Sequence, residues 1–238
     1  MPSPRVLLAI ALSAALTASC GGLDEEPVAS SPSKKPKKTA EAVKAASGCD
    51  EAGDGFESDV KLVRCLTEKF WAKQFKDAGG TYQPIKKFIA YRGNKAPSAA
   101  NCAGEKAEPE NAFYCSDGHF IAYDADWMKS MYRQIGDSAV YFVVPHEFGH
   151  SVQAQLETEF KYNVKLELQA DCYAGATLAG LVESEELELE EGDDDELIAN
   201  LEAVGDPTDA WWEPDAHGTP EKRMNAWVKG FEKGVDAC

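Results

Sequence analysis

Apolar positions recur at helical spacing over most of this chain, and at strand spacing only in short runs. Val63, Leu66 and Phe70 predict a helix over residues 59–77, capped by Ser58 or Asp59 and stopped at Gly79-Gly80. Residues 85–91 and 120–123 are short apolar and aromatic runs, which predict two strands flanking a polar loop rich in Gly, Pro and Asn. Residues 127–135 predict a helix. The most apolar helix comes next, over 138–157, and another over 164–182, where Ala170, Ala174 and Gly175 permit close packing. Residues 183–196 are strongly acidic, without the residue order of a calcium loop, and read as a solvated turn into a helix carrying Leu197, Leu201 and Val204. A last helix begins near Pro220, with Met224, Trp227 and Phe231 on one face. Several helices with few, short strands predict an α+β class.

The first residues do not fit this pattern. Residues 6–16 form an apolar run of signal-peptide length behind Arg5, too short to span a bilayer comfortably. Small residues then precede Cys20, which resembles a bacterial lipobox with Cys20 as the lipidated N-terminus of the mature chain. The expected organisation is a signal peptide over 1–19, a lipidated cysteine and disordered tether over 20–48, and a folded domain over 49–238. The tether is rich in Gly, Pro, Ser and Lys, and as a coil it spans on the order of 30 Å. The expected location is the cell envelope, outside the cytoplasm, held to a membrane by its lipid alone.

Composition narrows the function. The formal net charge is −17, which excludes binding that depends on neutralising nucleic-acid phosphates. Setting Cys20 aside leaves six cysteines, an even set that reads as three disulfides in an exported protein. Six cysteines allow fifteen pairings; joining neighbours along the chain gives Cys49–Cys65, Cys102–Cys115 and Cys172–Cys238. No C-x-x-C pair suggests a thiolate metal site.

The candidate chemistry lies in His146-Glu147-Phe148-Gly149-His150. Residues four apart share a helix face, so both imidazoles can reach one metal ion, with Glu147 beside them as a base for a zinc-activated water. The alternative, two structural histidines, is weakened because the chain has only four, and burial of two imidazoles and a carboxylate among Val143, Val144, Phe148 and Val152 is costly unless something pairs them. A catalytic zinc needs a third protein ligand. No third histidine occurs downstream at H-x-x-G-x-x-H spacing. Glu167 and Asp171 are also four apart, so Glu167 is the candidate third ligand and Asp171 the partner that fixes a ligand imidazole. His217 or Arg223 could supply a donor to an oxyanion; alternatively, His217 is loop before a helix capped by Thr219 and started by Pro220.

These stretches resemble the bacterial neutral zinc metallopeptidase family, and more distantly the gluzincins. The resemblance rests on residues 111–115, 121–124, 146–153, 167–175 and 217–231, in order; the run E-L-Q-A-D-C-Y-A-G is the most specific. It implies a zincin-like fold, mainly helical, with a small antiparallel or mixed sheet packed on the active-site helix. It also implies Zn2+ on His146, His150 and Glu167, with Glu147 as base. The chain departs from the family at Pro145, which removes a hydrogen bond inside the predicted helix and bends it. The resulting expectation is an exported zinc endopeptidase acting on peptide or protein substrates. The alternative is a zinc-binding but inactive envelope lipoprotein with a binding or structural role.

Overall fold

The computed structural model describes residues 48–49 and 55–238. The signal-peptide, Cys20 and tether expectations fall outside these residues, Gly48 excepted. The described part holds six α-helices and one three-stranded sheet. None of its helices is long and apolar enough to cross a membrane.

Helix α1 (Phe56–Asp77) buries Val60, Val63, Leu66, Phe70 and Trp71 along one stripe. It starts three residues before the predicted boundary because Phe56 is itself buried. It ends in a Schellman motif: Gly80 N–H donates to the Phe75 carbonyl and Gly79 N–H to Lys76, with Gly79 at φ +77°. Strands β1 (Lys87–Tyr91), β2 (Ala112–Cys115) and β3 (Phe120–Asp124) form a sheet of order β1-β3-β2. β1 runs parallel to β3 and β2 antiparallel to it. β2 is an unpredicted strand, and it occupies an edge.

Asp124 ties the sheet to helix α2 (Ala125–Gln134) and to two loops. Its carboxylate accepts from the N–H groups of Asp126 and Trp127, capping α2, and from those of Gly93 and Glu110. Burial alone would raise its pKa, but these donors win and lower it. The Glu110 contact fixes the approach to β2.

Helix α3 (Ser138–Gln155) runs unbroken through Pro145 and packs on α4 (Asn163–Glu183). α5 (Asp193–Val204) and α6 (Pro220–Lys233) complete the helices, the latter capped by Thr219. Two close approaches set the helix spacing. A Cβ on Gly149 would lie 3.0 Å from the Ala170 backbone, and a Cβ on Gly230 only 1.8 Å from the Cys172 carbonyl oxygen. The first draws α4 onto α3; the second draws α6 onto α4. Phe142, Phe148, Leu62, Leu66, Ile121 and Trp71 fill the core between α1, α3 and the sheet, each burial stabilising by about 1.5–3 kcal/mol. Disulfides join Cys49–Cys65, Cys102–Cys115 and Cys172–Cys238, the same pairs that chain order gives. The last clips the C-terminus to α4.

Candidate functional site

The close contact of α3 with α4 decides the site. Glu167 and Asp171 flank Ala170 on α4, and Ala170 is the residue that Gly149 admits. Both carboxylates therefore meet the histidines of α3. His146 Nε2 lies 3.2 Å from His150 Nε2 and 3.3 Å from Glu167 Oε2. His150 Nε2 lies 3.6 Å from Glu167 Oε1. All three residues are at least mostly buried.

The far side of each ring is held. His146 Nδ1 donates to Asp171 Oδ1 at 2.8 Å, a carboxylate whose pKa is lowered: burial opposes this, and the Arg223 guanidinium outweighs burial. His150 Nδ1 donates to Gln153 Oε1 at 2.9 Å. The Gln153 amide cannot turn over, because its Nε2 donates to the Leu166 carbonyl and to Gln169 Oε1. With both Nδ1 atoms used as donors, each neutral ring has a bare lone pair on Nε2. Two such lone pairs facing each other at 3.2 Å repel unless a cation lies between them.

The donor spacing fits zinc. Bonds of about 2.0–2.2 Å in a tetrahedron place ligand atoms about 3.3–3.6 Å apart, beside the 3.2, 3.3 and 3.6 Å found here. The electrostatics agree. Burial opposes a charged His146, but Asp171 and Glu167 overcome it and push its pKa up to about 10. His150 moves the same way through Glu167, and the two imidazoles hold Glu167 well below the usual carboxylate range against its burial. The site thus favours positive charge at its centre.

Glu147 is 5% exposed, and its Oε2 has no hydrogen-bond partner among the described residues. Burial raises its pKa, partly offset by His146, His150 and the Tyr114 backbone. The four residues floor an open cleft of about 730 Å³. β2 forms one wall; Ala203, Val204 and His217 form another. Asp124 N–H donates to the Asn111 carbonyl, so Asn111, Phe113 and Cys115 turn their backbone polar groups to β3. The alternation leaves the backbone groups of Ala112 and Tyr114 on the open edge, towards the cleft.

One expectation needs correction. Arg223 lines the cleft, but its guanidinium is engaged within the protein. It is 3% exposed, and its Nε and Nη2 donate to Asp171 Oδ2 and Oδ1 at 2.9 and 2.8 Å while Nη1 donates to the Val204 carbonyl. It orients Asp171, and through it His146. His217 does line the cleft and is half exposed, with Nδ1 3.7 Å from Asp206 Oδ1. Asp206 also accepts from the His217 and Gly218 N–H groups, pinning the loop.

Sequence reasoning missed Gln153, whose position seven beyond His146 was a signal of a shared face, and Asn163. The Asn163 amide donates to Glu167 Oε1 at 3.4 Å and to the Ala216 carbonyl at 3.3 Å, joining the Glu167 carboxylate to the His217 loop. His119 is buried: its Nε2 donates to the Gln83 carbonyl and its Nδ1 accepts from the Tyr114 hydroxyl.

Comparison with known proteins agrees with this geometry. The family described as "Putative neutral zinc metallopeptidase" matches residues 6–238. The uncharacterized protein YpfJ of Escherichia coli (strain K12) is 31% identical over 203 residues, covering 75% of this chain and 68% of its own length. The uncharacterized protein Rv2575 of Mycobacterium tuberculosis (strain H37Rv) is 31% identical over 160 residues, covering 55% of each chain. No solved structure matches. A match over nearly the whole chain, with two histidines and a carboxylate converged at zinc spacing, leads to one conclusion: the chain belongs to the putative neutral zinc metallopeptidase family.

Proposed function

We propose that this chain is an exported, lipid-anchored zinc endopeptidase of zincin-like arrangement, with the metal on His146, His150 and Glu167. The observation that carries the reading is the pair of inward-facing Nε2 atoms closed by the Glu167 carboxylate, with the unpartnered Glu147 Oε2 on the same cleft floor. Zinc held there supplies Lewis acidity and brings the pKa of a water towards neutrality. Glu147 would take a proton at Oε2 from the water whose oxygen bonds to the scissile carbonyl carbon, and pass it to the leaving amine nitrogen as the C–N bond breaks. Asp171 and Gln153 keep the imidazoles in the tautomer that presents Nε2. Arg223 acts through Asp171. His217, from the cleft wall, donates to the oxyanion that develops at the scissile carbonyl. Substrate lies extended along the β2 edge, where the backbone groups of Ala112 and Tyr114 pair with it as with another strand.

The test is cleavage of casein or a peptide library by purified, zinc-loaded protein. Activity that disappears with chelator and in Glu147→Gln, while that variant keeps its zinc, is the expected result. Equal activity in Glu147→Gln and the native protein contradicts the base assignment. A zinc-loaded protein that cleaves nothing leaves the binding-lipoprotein alternative.

A further inference from the structure

Beyond the cleft floor, two loops meet at one end of the site. Residues 156–162 link α3 to α4, and residues 205–219 link α5 to α6. The Tyr162 and Trp211 rings meet edge to face at 4.9 Å, and Trp211 meets Trp212 at 5.6 Å. These indoles stand open: Trp211 is 42% exposed and Trp212 57%. Large aromatics left in water, on loops adjoining the cleft-lining Thr158, Asn163 and His217, mark a contact surface rather than a core.

Glu159, Glu213 and Asp215 are exposed, and none forms an ion pair with a described residue. Two cations of the chain are already placed at these loops: the Lys161 ammonium lies 4.9 Å from the centre of the Tyr162 ring, and Lys222 pairs with Asp209. The step thus already holds an ammonium on an aromatic face, with unneutralised carboxylates nearby. Open indoles flanked by carboxylates favour a basic side chain, through ring quadrupole and charge together. The step is continuous with the site: Tyr162 precedes Asn163, whose amide touches both Glu167 and the Ala216 carbonyl.

From this we infer that Tyr162, Trp211 and Trp212, with Glu213 and Asp215, form a subsite for lysine or arginine side chains of the polypeptide bound in the cleft. The inference rests on the peptidase reading and names its substrate class: basic segments of extended polypeptide.

The test uses binding, so that it stands apart from turnover. Zinc-loaded full-length Glu147→Gln protein is titrated into three fluorescein-labelled decapeptides that differ only in carrying Lys, Gln or Glu at the same positions, read by fluorescence polarisation. The Lys peptide is expected to bind about tenfold or more tightly than the Glu peptide at low ionic strength, with the gap narrowing at about 0.5 M salt. Trp211→Ala with Trp212→Ala, added to that protein, weakens the Lys peptide about 5- to 20-fold, and Glu213→Gln with Asp215→Asn weakens it while sparing the Gln peptide. Circular dichroism and zinc content of each variant show that fold and metal survive. Equal affinity for all three peptides, or Lys-peptide binding undiminished in both double variants, overturns the subsite. Cleavage by the native protein without charge preference removes the subsite and leaves the peptidase; preferential binding without cleavage does the reverse.

Discussion

Two clusters of potential metal-ligating side chains lie among the described residues, and their carboxylates are shifted in opposite directions. His146, His150 and Glu167 bring three donors together, and so do Asp137, Asp193 and Glu196 at the junction of α3 and α5, each set within 4.8 Å. In the first, Glu167 is held well below the usual carboxylate range and Asp171 is lowered, because imidazoles and a guanidinium outweigh burial. In the second, burial raises the Asp137 pKa to about 7, and the carboxylates of Asp193, Glu196, Asp59 and Glu190 add to it. The difference is orientation. Every donor of the first set has a partner that fixes its free face: Asp171 for His146, Gln153 for His150 and Asn163 for Glu167. Carboxylates that face one another repel; carboxylates that face imidazoles and a guanidinium are held ionised.

That contrast can be broken experimentally, starting where the effect is largest. Glu147→Gln removes a proton acceptor and nothing that faces the metal, so the cleavage rate should fall about 10²–10⁴-fold with zinc retained, measured by kinetics beside metal analysis. Arg223→Leu leaves Asp171 as an uncompensated buried charge; urea unfolding should show a loss of about 3–5 kcal/mol. Asp171→Asn keeps the shape but weakens the hold on His146, and competition with a chelating dye should report zinc affinity lower by about 10- to 100-fold. The smallest effect belongs to the second cluster. Asp137 has a folded pKa raised above its unfolded one, so its contribution to stability is full below about pH 4 and lost as pH rises through about 7. Asp137→Asn should therefore stabilise by about 1–2 kcal/mol at pH 8, discounting for solvent screening, and leave pH 4 unchanged. Its zinc content should equal the native protein's, which separates the two clusters cleanly.

Legibility of the fold depended on the kind of signal. The helices were readable because apolar spacing on α1, α3 and α4 is written into single stretches. H-E-x-x-H and E-x-x-x-D were readable because a shared helix face results from spacing alone. Strand β2 was not: Ala112–Cys115 is four residues long, lacks β-branched residues, and is made a strand by pairing with β3. The acidic run was half readable. Asp193 to Glu196 form the first turn of α5, where carboxylates suit the helix dipole, rather than a turn before it. The hold of Arg223 on Asp171 was not readable, because it depends on glycine-mediated packing of α6 on α4, which no local pattern encodes.

The chemistry proposed for the cleft stands on one divalent ion being held by His146, His150 and Glu167 together. Diffraction from crystals of the zinc-loaded protein, collected across the zinc absorption edge, tests this most directly. A single anomalous peak is predicted within about 2.0–2.2 Å of His146 Nε2, His150 Nε2 and a Glu167 oxygen. A peak among Asp137, Asp193 and Glu196 instead, or one bonded to the histidines with the Glu167 carboxylate turned away, would contradict it.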